Sequence, residues 1–274
     1  MKITVLVENN TINPNCESKH GLSLYIQTIN HCILFDFGPD GSTLLKNADV
    51  LGVDLSNVDT AFLSHGHMDH GGGMNTFLKL NANSKIYTRP DAFSAHTIKA
   101  FGKDYPVGVE LALKKSPQIL LTKSTQVIDK ELQVFSSPCG NILKPMFNNT
   151  LYAEKNGLMV EDDFSHEQSL IITEGETTVL VGGCAHGGVI NLLNKAEELL
   201  GRSVDFVVSG FHLYDPPTKN TEPESRIDEL AAELSKHSTG YFTCHCTGET
   251  AFNRLHSLMG KQISTLSTGK VIEL

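Results

Sequence analysis

The stretch Ser64-His65-Gly66-His67-Met68-Asp69-His70-Gly71-Gly72-Gly73 limits what this chain can become more than any other. It places four possible metal ligands within six positions, directly after an apolar run expected to be a strand at 60–63. His65 and His67 are two apart, so in extended backbone their side chains point to one side and can share a cation. Asp69 and His70 follow a bend and can reach a second cation close by. The glycines let the backbone fold sharply into a helix. A single zinc site needs three or four ligands, so four here, with others elsewhere, point to a two-metal centre. A polar turn of solvated histidines is the bland reading. It is a poor account of so dense a run in a chain with 12 histidines among 274 residues.

Composition narrows the partners. A formal charge of −9 leaves no overall basic footprint, which argues against nucleic acid or an anionic membrane surface as partner. No run approaches the ~18 to 20 apolar residues that cross a bilayer, and the most apolar early stretch is broken by Asp36. Residues 1–10 lack the features of a signal peptide, so a cytoplasmic location is expected. In that setting the six cysteines are read as buried small hydrophobes or metal ligands rather than disulfides. Cys16, Cys32 and Cys139 have no ligand-like neighbours and are read as structural. The glycine clusters at 71–73 and 187–188 match neither a phosphate loop nor a dinucleotide fingerprint, so no nucleotide cofactor is expected.

Strand-length apolar runs alternate with helical patterns along the chain, the signature of an α/β fold. Strands are expected at 2–7, 23–28, 32–37, 60–63, 85–88, 169–173, 178–181, 205–209 and 241–244. Helices are expected at 42–51, 74–80, 188–200, 222–237 and 249–259. Nothing marks a linker, so residues 1–274 are read as a single domain, with an insertion around 89–163 over the active site. Within it, 99–130 carries six lysines against Asp104, Glu110 and Asp129, a surplus of three. This is read as a solvated helical face, with an anion-steering rim as the alternative.

The His-x-His-x-Asp-His run after a strand resembles the metallo-β-lactamase superfamily, and the resemblance covers essentially the whole chain. It implies a four-layer αβ/βα sandwich with metals at the sheet edges. Later strand ends would return a His, an acidic residue bridging the metals, and a last His. Tyr241-Phe242-Thr243-Cys244-His245-Cys246-Thr247-Gly248 puts His245 at the last of these places. Gly182-Gly183-Cys184-Ala185-His186-Gly187-Gly188 puts Cys184 where an Asp normally stands, with His186 two residues on. A thiolate can bridge two zinc ions, yet cysteine is also a residue that is simply buried, and both readings stay open. His166 and Asp163 are further candidates. With His186 as the third nitrogen for the first metal, His166 is left for pocket duty or exposure. Cys244 and Cys246 point away from His245 if the backbone is extended and are read as packing, with a ligand or redox role as the alternative.

Residues 182–191, 209–213 and 244–248, with Asp163 and 167–170 before them, look like one subgroup of that superfamily. It includes 7,8-dihydropterin-6-ylmethyl-4-(β-D-ribofuranosyl)aminobenzene 5′-phosphate synthase, of methanopterin biosynthesis, and many hydrolases. His212 would then face the pocket in substrate binding or proton transfer, or else sit behind it or on the surface. Asp36 is either a turn residue or the partner that orients His65 or His67 through its free ring nitrogen. His20, His31, His96, His237 and His256 have no motif context and read as core or surface.

These readings imply two divalent metal ions, zinc first, with iron or manganese as alternatives. His65, His67 and His186 would hold one, Asp69, His70 and His245 the other, with Cys184 between them. Two enzymatic activities follow: hydrolysis of a phosphoester, thioester or lactone, with Asp69 orienting water, or a dihydropterin-type transfer that expels pyrophosphate. The substrate would be a small, anionic molecule, with Arg89, Asn141, Lys144 and Lys155 as guesses at anion contacts. The non-enzymatic alternative is a metal-stabilised binding or sensor module. A nuclease of the same fold is weakened by the acidic charge, and an iron redox role by the lack of a flavin domain.

Overall fold

The structure is a computed structural model that describes residues 1–137 and 140–274. The structural reading of Cys139 lies outside the described residues; the other five cysteines are free thiols.

Two seven-stranded sheets carry the fold. The first runs, in spatial order, Val271–Glu273, Lys2–Val7, Ser23–Gln27, Cys32–Phe35, Thr60–Phe62, Lys85–Thr88 and Ile119–Leu121. Its first four strands pair antiparallel, and from Cys32–Phe35 onward the pairing is parallel. The second runs Ile263–Thr265, Gly240–Thr243, Phe206–Ser209, Thr177–Val181, Gln168–Glu174, Leu132–Ser136 and Thr125–Val127. There the first four are parallel and the rest antiparallel.

Period-two alternation sends each strand's side chains to two different cores. Leu24 and Ile26, Ile33 and Phe35, Leu170 and Ile172, and Val179 and Val181 meet in the core between the sheets. The intervening Tyr25 and Leu34 face the helices Gly41–Val50 and Met74–Leu80, through Leu44, Ala48, Met74 and Phe77. Ile171, Leu180 and Val207 face the helices Val189–Leu200, Glu224–Leu234 and Glu249–Met259 on the other outer side. Helices, sheet, sheet, helices: this is the four-layer αβ/βα sandwich. Each large side chain buried in these cores contributes about 1.5–3 kcal/mol, so the three-core arrangement is strongly specified. Asp40 caps the first helix by accepting the Thr43 N–H at 2.8 Å, as a short acidic side chain does before a helix.

The segment 89–163 differs from its expected form. Residues 99–130 contain strands and one short 3₁₀ turn, Leu111–Lys115, but no α-helix. The six lysines are solvated, as expected, but from strands, loops and that 3₁₀ turn, which holds Lys114 and Lys115, rather than from an α-helical face. His96–Ala100 and Lys103–Pro106 join Leu151–Lys155 and Leu158–Glu161 in a four-stranded sheet, while three other strands of the segment extend the two main sheets. Among the described residues, no helix is long and apolar enough to cross a membrane.

Parallel strands end on a common edge. Thr60–Phe62, Thr177–Val181, Phe206–Ser209 and Gly240–Thr243 deliver there the loops that carry His65 to His70, Cys184 and His186, His212, and His245. Ligands of open α/β sheets bind at such carboxyl ends.

Candidate metal centre

The backbone at this edge is forced into shape. Asp36, Phe164, Ala185, His212 and His245 all have φ between 49° and 61° without being glycine. A side chain at such angles costs about 1–2 kcal/mol, which the surrounding packing must hold in place.

Three histidines converge. His65, His67 and His186 are buried, and a ligating nitrogen of each lies within 4.8 Å of those of the others. Nδ1 of His65 is 2.8 Å from Ser64 Oγ, and Nδ1 of His186 is 2.9 Å from Asn148 Oδ1. Nε2 of His65, of His67 and of His186 is buried with no hydrogen-bond partner. Buried polar atoms are nearly always paired, so three bare nitrogens aimed at one space form a candidate donor set for a cation. Burial first, then the neighbouring imidazoles, holds all three well below their ordinary pKa, which leaves them neutral and able to ligate.

Beside them lies a second group. Nε2 of His70 is 3.2 Å from Cys184 Sγ and 3.3 Å from Nε2 of His245. Asp69 Oδ2 is 3.1 Å from His245 Nε2 and 3.3 Å from Nε2 of His20. His245 Nδ1 lies 2.9 Å from Asn9 Oδ1, an acceptor, which leaves Nε2 facing the cavity. Burial opposes the charge of Asp69, but His70, His20 and His245 outweigh it and hold the carboxyl well below its usual range. Burial likewise pulls His70 down, and Asp36 and Asp69 overcome it, raising the imidazole to about 9. Cys184 falls within 4.8 Å of members of both groups, between the His65 set and the His245 set.

Several expectations change. Asp36 does orient a metal-loop histidine, but it is His70, at 2.6 Å, and not His65 or His67; it also accepts the Ser64 N–H and Oγ–H at 2.7 Å. His166 is buried rather than exposed: its Nδ1 accepts the Gly66 N–H at 2.9 Å, and its Nε2 is 2.9 Å from Asp162. A side chain at Gly66 would strike the Ala92 carbonyl and the His96 ring, so this loop passes too close for any Cβ. Asp163 stands outside the site, ion-paired with Lys155. His212 is half-buried, its ring 4.2 Å from that of His186, with Nδ1 unpartnered.

Two residues without motif context join the site. His20 arrives on the loop after the first strand and packs its ring 4.4 Å from that of His245. His96 is buried, with Nδ1 3.3 Å from Asp162 and its ring 4.2 Å from that of His166. Cys246 also changes place. With His245 at φ 51° the backbone enters a short 3₁₀ turn, His245–Thr247, instead of staying extended, and Cys246 lines the cavity. Cys244 remains packing, in the core between the sheets. Burial pushes the Cys184 thiol well up; burial acts on Cys246 too, but hydrogen bonds with Cys184 and His212 hold it well down.

Glu167, which the subgroup stretch 167–170 includes without a role, holds the loop of His186. Its two carboxylate oxygens accept the His186 N–H at 2.8 Å and the Gly187 N–H at 2.9 Å. Burial pushes its carboxyl up to about 7 despite those bonds.

Above the donors the cavity wall is apolar, with Met68, Ile98, Val107, Leu151, Pro216 and Pro217. None of the residues guessed as anion contacts lines it. Arg89 donates to the carbonyls of Ser165 and Thr122, Asn141 is exposed, the Lys144 carbonyl accepts from Arg226, and Lys155 is held by Asp163.

Comparison with known proteins agrees with this architecture. The family model described as the metallo-beta-lactamase superfamily matches residues 19–190. A Methanocaldococcus jannaschii protein, 7,8-dihydropterin-6-methyl-4-(beta-D-ribofuranosyl)-aminobenzene-5'-phosphate synthase, is 29% identical over 93% of this chain and 90% of its own. The crystal structure of Tm1679, described as a metal-dependent hydrolase of the beta-lactamase superfamily, superposes with a TM-score of 0.83. It is 26% identical and covers 100% of this chain and 99% of its own. Zn(2+)-bound PqqB from Methylobacterium extorquens, 12% identical with a TM-score of 0.58 over 100% of both chains, shares the fold.

Proposed function

The chain belongs to the metallo-β-lactamase superfamily, and from that premise we propose that it is a metal-dependent enzyme acting on a small phosphorylated or ester substrate at a dinuclear centre. The observation that carries this reading is the convergence of the bare Nε2 atoms of His65, His67 and His186. A binding module that only needs metal for stability has no use for a cavity opening onto its ligands.

His65, His67 and His186 would hold one ion and Asp69, His70 and His245 the other, with Cys184 between. Two divalent cations, zinc in the first instance, supply Lewis acidity at such a site. The protein's own groups do the rest. Asp69, partly open to the cavity, accepts a hydrogen bond from the attacking group and orients it. His212, on the facing loop, carries a proton to or from the reacting oxygen. The apolar wall from Ile98 to Pro217 excludes water around the part of the substrate that does not react.

Two versions of the chemistry share these residues. Likeness to Tm1679 supports a hydrolase, and likeness to the Methanocaldococcus jannaschii synthase supports transfer of a dihydropterin-6-ylmethyl unit to an aromatic carbon, which loses a proton as pyrophosphate leaves the donor. We favour a phosphorylated substrate in either case. Among the described residues no lysine or arginine lines the cavity wall, so its anionic group would fall to the metal centre.

The test is elemental analysis of protein purified without added metal, with His67→Ala and His245→Ala alongside. A screen of phosphodiesters, thioesters, lactones and a dihydropterin pyrophosphate follows. About two equivalents of metal, reduced in both variants, with turnover on one substrate class, is the expected result. Absence of metal after reconstitution, with both variants unchanged, overturns it.

A further inference from the structure

The two cavity cysteines stand out from the rest of the donor set. Ligating atoms of Cys184, Cys246 and His245 all lie within 4.8 Å of one another. Zinc sits about 2.3 Å from sulfur and about 2.0 Å from nitrogen, so ligands of one tetrahedral ion are spaced roughly 3.3 to 3.8 Å apart. These three atoms need close by only about an ångström to share an ion.

The fold goes to some length to bring Cys246 there. Cys244, two residues earlier, lies in the apolar core between the sheets, as a merely buried cysteine does. Cys246 is turned to the other side by the left-handed backbone of His245. Room for its sulfur exists because residue 210 is glycine: a Cβ there would lie 2.5 Å from Cys246 Sγ. Its thiol lies 3.7 Å from the Cys184 carbonyl oxygen. The left-handed turn at His245 and the glycine at 210 together put the sulfur on the cavity side.

We propose that Cys246 is a metal ligand, joining Cys184 and His245 so that the second cation of the centre is held by two thiolates. This rests on the metal-centre reading above and adds to it a ligand that the superfamily resemblance did not supply. Each thiol loses its proton to solvent as it takes up the ion. A pair of soft donors biases the position toward zinc or cobalt and away from manganese or magnesium.

Cobalt(II) reports thiolate ligation directly, through a sulfur-to-cobalt charge-transfer absorption in the near ultraviolet. Metal-free protein is titrated with Co²⁺, together with Cys184→Ala and Cys246→Ala. The expected result is a strong band in the parent, cut by about half in each single variant and lost in the double. A band unchanged in Cys246→Ala overturns the proposal while leaving the metal centre standing. Failure of the parent to bind cobalt or zinc at all overturns both. Should Cys246→Ala not fold, the unaltered protein decides: thiols are alkylated with and without added zinc and mapped by mass spectrometry. Protection of Cys246 by zinc supports ligation. Equal labelling in the two states, including none in either, sinks it.

Discussion

Oδ2 of Asp36 lies 2.6 Å from Nδ1 of His70, and neither residue is exposed to solvent. This contact fixes the His70 ring with Nε2 toward Cys184 and His245, and it makes the imidazole more basic. Partners of this kind set both the tautomer and the aim of a ligating histidine. Asp36→Asn keeps the shape and the tolerance for a left-handed backbone but removes the charge. Metal affinity should fall by roughly 10- to 100-fold, measured by competition with a chromogenic chelator. Unchanged affinity would show that His70 does not ligate.

The same pair gives the metal-free protein a pH signature. His70 is raised to about 9 in the folded state against 6.5 as its ordinary value. Between those values the folded chain binds the extra proton and the unfolded chain does not. The stabilisation is therefore complete below about pH 6.5 and is lost as pH rises through about 9. Thermal melts in chelator should show a falling Tm across that window. A metal-loaded sample, in which the ion has displaced the proton, should lack the fall and should release protons on loading. Chelator-treated protein with a flat profile would count against the Asp36–His70 ion pair.

Glu167 is predicted to govern the first ion without touching it. Glutamine in its place presents one acceptor and one donor to two backbone N–H groups, so one of those at His186 and Gly187 is left unpaired. Loss of about 1–3 kcal/mol is expected in a denaturant titration, with weaker zinc retention. Glu167→Asp, which keeps two acceptors on a shorter arm, should recover part of the zinc retention. If both variants hold metal like the parent, the loop of His186 is set by other contacts.

Ile98 and Leu151 reach the cavity from the four-stranded sheet. Ile98 is half-buried, so its truncation spares the core. Ile98→Ala should raise KM for the substrate found in the screen by about 10-fold or more, at about 1–3 kcal/mol for lost apolar contact, and leave kcat nearly unchanged. A drop in kcat with constant KM would place Ile98 nearer the reacting atoms than its position suggests.

Leu170 tests the scaffold separately from the site. It is fully buried between the sheets. Leu170→Ala should cost about 2–5 kcal/mol in unfolding free energy, with metal stoichiometry intact in the fraction that remains folded. Loss of metal without loss of stability would mean that the inter-sheet core tunes the edge directly.

Much of this was legible because it is local. The strand, the His-x-His-x-Asp-His loop and the glycine-rich turn at Cys184 and His186 are contiguous in sequence, and alternation alone places them at strand ends. What stayed hidden depends on partners far apart or on backbone hand. His20 and Asn9 meet His245 across more than 200 residues, and no pattern near position 20 announces it. An extended backbone points Cys246 away from His245, and the left-handed turn at His245 reverses this. The sequence leaves Asp36 as either a turn residue or a partner of His65 or His67, and its actual partner, His70, depends on how two neighbouring strands end. The lysine-rich segment 99–130 carried charge but little periodicity, and charge says where solvent is rather than whether a helix is there.

The donors also fix an order of events. The sets His65, His67, His186 and His65, His70, Cys184 each draw on loops from both sheets. His186 and Cys184 lie more than a hundred residues along the chain from the loop of His65 to His70, so an open chain brings only one side of each set to hand. A complete donor set for an ion therefore exists only once both sheets are in place. A chain folded in the presence of chelator should be able to take up metal afterwards without unfolding again.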